Sequence, residues 1–206
     1  MIRDMSDLQI PSACSVALKE WATVLTAMAR GEQLILVRKG GLIEPGRGFE
    51  LVSPTFVFYP TFEHQAVNYV RDPYPSFFDS AVRARAPEGQ VRIELGGAAV
   101  SCVQSRDPSL IERLAPFHIY HPSFVSQRLK WQPDQPVVIV AVRAFRLLTP
   151  QLLSLSPRYA GCKSWVELEA PLALGDVRPV LDDATFRQRL RELTALLSPS
   201  ISLREI

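Results

Sequence analysis

The sequence predicts an α+β fold: a mixed, mostly antiparallel sheet, open or closed into a small barrel, with helices at its edges. Three observations lead there. Short apolar runs rich in Val, Ile and Phe recur near residues 34, 56, 92, 100 and 138, bounded by Gly and Pro. Apolar residues at helical spacing flank them at both ends of the chain. The strands do not alternate regularly with crossover helices, which argues against a doubly wound parallel sheet. With 206 residues and 47% hydrophobic content, a single domain over 1–206 is expected, its core spanning about 13–168.

Element by element, Ser12 or Ser15 is placed to cap a first helix carrying Leu18, Trp21, Leu25 and Met28 on one face and stopped by Gly31. A strand over 33–38 ends at Gly40-Gly41, and 49–52 and 55–59 read as a further pair. Between Pro60 and Pro87, aromatic residues including Tyr74, Phe77 and Phe78 follow no clean period, which predicts an irregular or partly helical insertion. Gly96-Gly97 divides two apolar runs, 91–95 and 98–103, as the turn of a hairpin would. Asp107 and Pro108 open a short helix to Leu114, and 117–120 is strand-like. Ser123 is placed to cap a helix to Lys130, 137–148 is the longest strand, and Asp182 or Asp183 caps a final helix over about 183–197.

Composition removes several function classes. The longest apolar run, 136–142, is far shorter than the roughly 20 residues of a membrane-spanning helix. The acidic N-terminal stretch lacks the features of a secretory signal, so a cytoplasmic protein is expected. Cys14, Cys102 and Cys162 are odd in number and widely spaced, which predicts free thiols. A net charge of +2 is too small for bulk attraction to nucleic acid, so any such binding needs a local patch.

Polar and aromatic chemistry gathers in four blocks. Arg38-Lys-Gly-Gly-Leu-Ile-Glu44 ends a strand with two cations and two glycines, an arrangement that holds an anion or makes an ordinary turn with solvated charges. Phe58-Tyr-Pro-Thr-Phe-Glu-His-Gln65 puts Glu63, His64 and Gln65 in a loop after a strand, suited to acid–base work or to structural hydrogen bonds. His118 and His121, three apart, face opposite ways on a strand and do not share a metal there. Tyr159-Ala-Gly-Cys-Lys-Ser-Trp165 sets Cys162 beside Lys163, either an activated thiol or a Cys packed next to Trp165.

Together these blocks resemble an uncharacterised bacterial domain family of unknown function. The matching segments are Ala17-Leu-Lys-Glu-Trp21, Leu36-Val-Arg-Lys-Gly-Gly-Leu-Ile-Glu44, Tyr59-Pro-Thr-Phe-Glu-His-Gln65 and Tyr159-Ala-Gly-Cys-Lys-Ser-Trp-Val-Glu167. The resemblance implies no activity. More distantly, Gly31-Glu-Gln-Leu-Ile-Leu-Val-Arg38 resembles the Gly-x-Lys-x-x-Glu-x-Arg opening of the ASCH group of the PUA-like superfamily, with Gln33 and Leu36 at the Lys and Glu positions. That resemblance implies a small barrel whose cleft takes RNA or nucleotide-like ligands.

The leading functional expectation is a module binding RNA or a modified nucleotide. Arg38, Lys39 and Arg143 would contact phosphate, Tyr59 or Trp165 would stack on a base, and Gln65 would line the cleft. Arg146 lies an odd number of residues from Arg143, so the two face oppositely. The alternative is a metal-dependent hydrolase or nuclease using Glu44, Glu63 and His64, with Lys163 stabilising developing negative charge. A third reading, a protein-interaction domain, requires the aromatic insertion to be exposed. No resident cofactor or metal-ligand set is expected.

Overall fold

The apolar run that begins at residue 137 becomes an 18-residue strand, and the sheet is built around it. The computed structural model describes residues 10–39 and 49–197. Among these, seven strands form one sheet: β1 (Ala13–Trp21), β2 (Ile35–Arg38), β3 (Thr55–Thr61), β4 (Gln90–Ser105), β5 (Val137–Ser154), β6 (Trp165–Ala173) and β7 (Val177–Pro179). Five α-helices accompany them: α1 (Ala22–Ala29), α2 (Pro75–Arg83), α3 (Pro108–Arg113), α4 (Pro122–Lys130) and α5 (Asp183–Leu197). The strand order is β2-β5-β4-β3-β1-β6, and β7 pairs with a stretch of β5 beyond the part that holds β2. Only β1 and β3 run parallel, so the sheet is mixed and mostly antiparallel. It does not close into a barrel, because β2 and β6 end the order without pairing.

Residues 13–21, expected in the first helix, form β1 instead, and only Ala22–Ala29 are helical. Leu18 and Trp21, three residues apart, share a face on a helix and alternate on a strand. β1 is an interior strand with β3 on one side and β6 on the other, and two ladders of backbone hydrogen bonds outweigh the local helical pattern. The predicted stop does end α1: Gly31, at φ 75°, donates its N–H to Met28 O at 3.0 Å.

The expected hairpin at Gly96-Gly97 is absent, because β4 passes straight through both glycines. Their role is close approach. A Cβ on Gly96 would stand 2.3 Å from the Phe145 ring, and one on Gly97 would stand 2.6 Å from Val142 Cγ1. Residues 49–52 form no strand, and 117–120 make a 3-10 turn (Ala115–Phe117) followed by a single bridge from Val70 to Tyr120.

Both faces of the sheet are covered. Leu18, Phe56 and Phe58 point into one apolar cluster with Val24 and Met28 of α1 and with Phe186, Leu190, Leu193 and Leu197 of α5. Their strand neighbours Ala17, Val57 and Tyr59 enter a second cluster with Ile93, Phe145 and Val166. The clusters change where the β4–β5 register is irregular, with residues 147–150 of β5 set against Glu94: Val91 and Ile93 belong to the second cluster, Leu95 and Ala99 to the first. α5 starts where the sequence predicts, with Asp182 Oδ1 accepting from Thr185 N at 2.9 Å.

Because Phe145 is buried and has nowhere to move, Gly96→Ala should destabilise the fold by about 1–3 kcal/mol through overpacking. A urea midpoint equal to that of the parent chain would show that β4 and β5 do not pack this closely.

Candidate functional site

Beneath the site lies a buried ion pair. Arg38, the last residue of β2, donates from Nη1 to Glu20 Oε2 at 3.0 Å and to Lys19 O at 3.1 Å; the two side chains are 13% and 6% exposed. Glu20 Oε1 also accepts from Trp21 N at 2.8 Å. Three strands separate β1 from β2 in the sheet order, so this contact requires the sheet to curl strongly.

A cleft of about 860 Å³ opens above the pair. The end of β1 contributes Lys19 and Trp21, the loop after β3 contributes Glu63, His64 and Gln65, α4 contributes Phe124 and Arg128, and the loop before β6 contributes Gly161 to Ser164. One wall is aromatic. Trp21 lies parallel to Tyr69 at 5.9 Å between centroids, and Phe124 packs against both, at 4.8 Å and 5.8 Å. Trp131 follows at the C-terminal end of α4, and Tyr69 Oη donates to Gln127 Oε1 at 2.7 Å, tying the wall together.

Charge in the cleft is mostly positive. Arg128 lies 5.1 Å above the Phe124 ring, and its Nε is buried with no hydrogen-bond partner among the described residues. Burial first, then the neighbouring Arg38 guanidinium, pulls its pKa below the usual arginine value. Lys19 donates from Nζ to Gly161 O at 2.9 Å, and burial together with Lys163 lowers its pKa, opposed by Glu63 and Cys162. Lys163 donates to Arg158 O. Glu20 is engaged by Arg38, and Glu63 is the other carboxylate among the described residues that line the cleft, raising the Lys19 pKa.

The residues expected at a site separate into two groups. Arg38, Glu63, His64, Gln65 and Lys163 meet in the cleft. His64 occupies the left-handed region at φ 60°, the turn that carries the loop along the cleft. Gln65 has a structural duty as well: its Oε1 accepts from Thr23 N at 3.3 Å and Thr23 Oγ1 at 3.1 Å, capping α1 from 42 residues away.

The others stand elsewhere. Lys39 is 1% exposed and donates to Leu129 O at 2.9 Å, so it supports α4 and does not line the cleft. Arg143 pairs with Asp183 and lies over Phe186 at 5.1 Å, and Arg146 donates to Ala29 O. Trp165 packs edge-on against Phe56 at 5.2 Å and donates to Glu50 O at 2.8 Å, half-buried against the core. Tyr59 is buried and lines a second, adjoining cavity. Glu44 lies outside the described residues.

His118 and His121 serve the scaffold. His118 is buried, with Nε2 3.0 Å from Ile111 O and Nδ1 accepting from Tyr120 N at 3.1 Å. His121 caps α4, its Nδ1 accepting from Ser123 N at 3.2 Å. Cys14, Cys102 and Cys162 are free thiols; burial pushes that of Cys102 up to about 11. Among the described residues no group of three or more His, Cys, Asp or Glu side chains is placed to hold a metal ion. Nor is any described helix long and apolar enough to cross a membrane. Phe77 is buried and Tyr74 packs against the core, so the insertion is not an exposed aromatic patch.

A family model described as a domain of unknown function (DUF1802) matches residues 17–192. The chain belongs to the DUF1802 family. No curated protein and no solved structure matches it. Within this DUF1802 domain, segments 17–21, 59–65 and 159–167 and the Arg38 end of 36–44, on which the first resemblance rested, all reach the cleft. The ASCH resemblance has no such support. Its barrel is absent, Gln33 is a buried amide donating to Ile35 O and accepting from Ile119 N, and Leu36 is fully buried. Sequence reasoning missed Lys19 and Glu20, which the expected helix presented as scaffold, and Arg128, which nothing local distinguishes from a solvated helix charge.

Two outcomes follow from this geometry. Glu20→Ala leaves a buried guanidinium uncompensated and should cost about 3 kcal/mol in denaturant unfolding, whereas Glu20→Leu with Arg38→Met should recover much of the loss. A double variant as unstable as the single one would show that the pair itself is not the source. Burial lowers the His118 pKa from 6.5 to about 4, so the folded state holds it neutral while the unfolded chain takes up a proton. Stability should be full above pH 6.5 and fall by roughly 3 kcal/mol as the pH drops towards 4. Urea titrations across that range check this, with His118→Gln expected to flatten the slope.

Proposed function

We propose that this chain binds RNA or a nucleotide-like ligand in the cleft above the Glu20–Arg38 pair. The observation that carries the reading is Arg128, whose buried Nε has no hydrogen-bond partner among the described residues and stands beside an aromatic wall. A buried N–H without an acceptor costs about 1–3 kcal/mol, and a phosphate oxygen relieves that cost with a charge-assisted bond. The depressed pKa of Arg128 has the same implication, since an anion offsets both its desolvation and the repulsion from Arg38. Lys19 and Lys163 add positive charge, and Trp21, Tyr69 and Trp131 offer flat faces for a base. His64, exposed in the same loop, is placed to orient or protonate the ligand.

Arg128→Met and Lys163→Met keep the apolar stems and remove the charges. Each should weaken binding of a short single-stranded RNA by roughly tenfold in fluorescence anisotropy, with little change in thermal unfolding. In the parent chain, affinity should fall by about tenfold or more between about 50 and about 200 mM salt, through counterion release. Undiminished binding by both variants sinks the reading. Metal-dependent cleavage of the RNA, abolished by Glu63→Gln while binding survives, would put the hydrolase alternative ahead.

A further inference from the structure

We propose that the cavity between β3 and β4 is a second base pocket, and that the ligand is therefore a single-stranded RNA of at least two nucleotides whose linking phosphate lies at Lys19. This rests on the nucleic-acid reading of the first cleft.

The pocket follows from strand geometry. β3 and β4 pair only between Thr55–Val57 and Gly96–Ala98. Beyond Gly96 the β3–β4 ladder stops, and residues 90–93 pair with β5 alone, after an irregularity that sets residues 147–150 of β5 against Glu94. Phe58 to Thr61 of β3 continue along β1, so the two strands part and leave a cavity of about 550 Å³ between them. Its walls are largely apolar and aromatic, with Phe58, Tyr59, Leu25, Leu95 and Tyr159 among them; Tyr59 and Tyr159 meet edge to face at 5.8 Å. Polar atoms of Thr26, Gln90 and Glu94 stand at the same walls. A flat heterocycle with hydrogen-bonding edges suits such a lining.

The pocket is not separate from the cleft. The two share Lys19, Thr61, Glu63 and Gly161. The Lys19 ammonium sits on that boundary, 5.6 Å from the centre of the Tyr59 ring. One of its protons is engaged by Gly161 O, and among the described residues the other two have no acceptor, which suits an anion. A chain with one base against the Trp21–Tyr69 wall and the next beside Tyr59 carries its phosphodiester past this ammonium. A cleft of about 860 Å³ already accommodates one nucleotide, so the further volume implies a further residue. Bases held in separate pockets are unstacked, which selects single strands over a duplex.

The test uses the full chain and calorimetric titration with adenosine monophosphate, adenosine diphosphate and adenylate oligomers of two to four residues. Affinity should rise at least about fivefold from the monophosphate to the dinucleotide. Adenosine diphosphate, which adds charge without a base, should show a smaller gain. Ala84→Trp and Ala160→Trp, exposed positions that line the second cavity and not the first, should each remove the dinucleotide's advantage. The proposal is overturned if monophosphate and dinucleotide bind equally, if adenosine diphosphate matches the dinucleotide, or if the advantage survives in both tryptophan variants with native circular dichroism. Absence of binding by every probe overturns the reading of the first cleft, and the second pocket with it.

Discussion

Arg38 and Glu20 belong to strands with three others between them, and the contact between their side chains constrains the curvature of the whole sheet. An arginine reaches only a few ångströms, so the ends of β2 and β1 must approach although no strand pairing draws them together. The pair does side-chain work where a barrel would use a backbone ladder. It also places charge at the base of a concave surface. Tyr120 is buried beside it and its hydroxyl is held protonated by burial and by Glu20, while the neighbouring Arg128 has a donor unmet among the described residues. A buried cluster with more guanidinium than carboxylate favours an anion above it.

The second constraint is the crowding of β4 against β5. Two consecutive glycines let Phe145 and Val142 press onto the β4 backbone, and just past them the pairing of β4 with β3 ends. Tight packing at one end of the strand and separation at the other come from neighbouring residues. The cavity between the strands is a consequence of sheet geometry, and it adjoins the polar cleft because Lys19 lies on the β1 strand that both cavities reach.

Much of the site was legible in one respect: the blocks around Arg38, Glu63–His64 and Lys163 stand out as polar residues at strand ends, and strand ends on one side of a curled sheet converge. What could not be read was side-chain direction. Lys39 follows Arg38 immediately, and the alternation of a strand turns it to Leu129 while Arg38 faces Glu20. Arg143 and Trp165 carry chemistry that suits a ligand, but α5 and the Phe56 ring occupy them. Arg128 has no local signature, because its environment is assembled from β2, β1 and the segment at Tyr120.

The sequence by itself determined the α+β class, the mixed and mostly antiparallel sheet, the caps at Asp107 and Asp182, the stop at Gly31 and the apolar face of α5. The caps, the stop and the apolar face rest on interactions within a few residues along the chain, and the fold class on the local periodicity and order of the elements. Only the tertiary structure decided that residues 13–21 extend, that Gly96 and Gly97 lie within a strand, and that Arg38 is held in a buried ion pair. Each of those depends on a partner tens of residues distant, such as β6 for β1, Phe145 for Gly96 or Glu20 for Arg38. The energy of a long-range contact is set by where the fold brings the partner and not by the residues alongside.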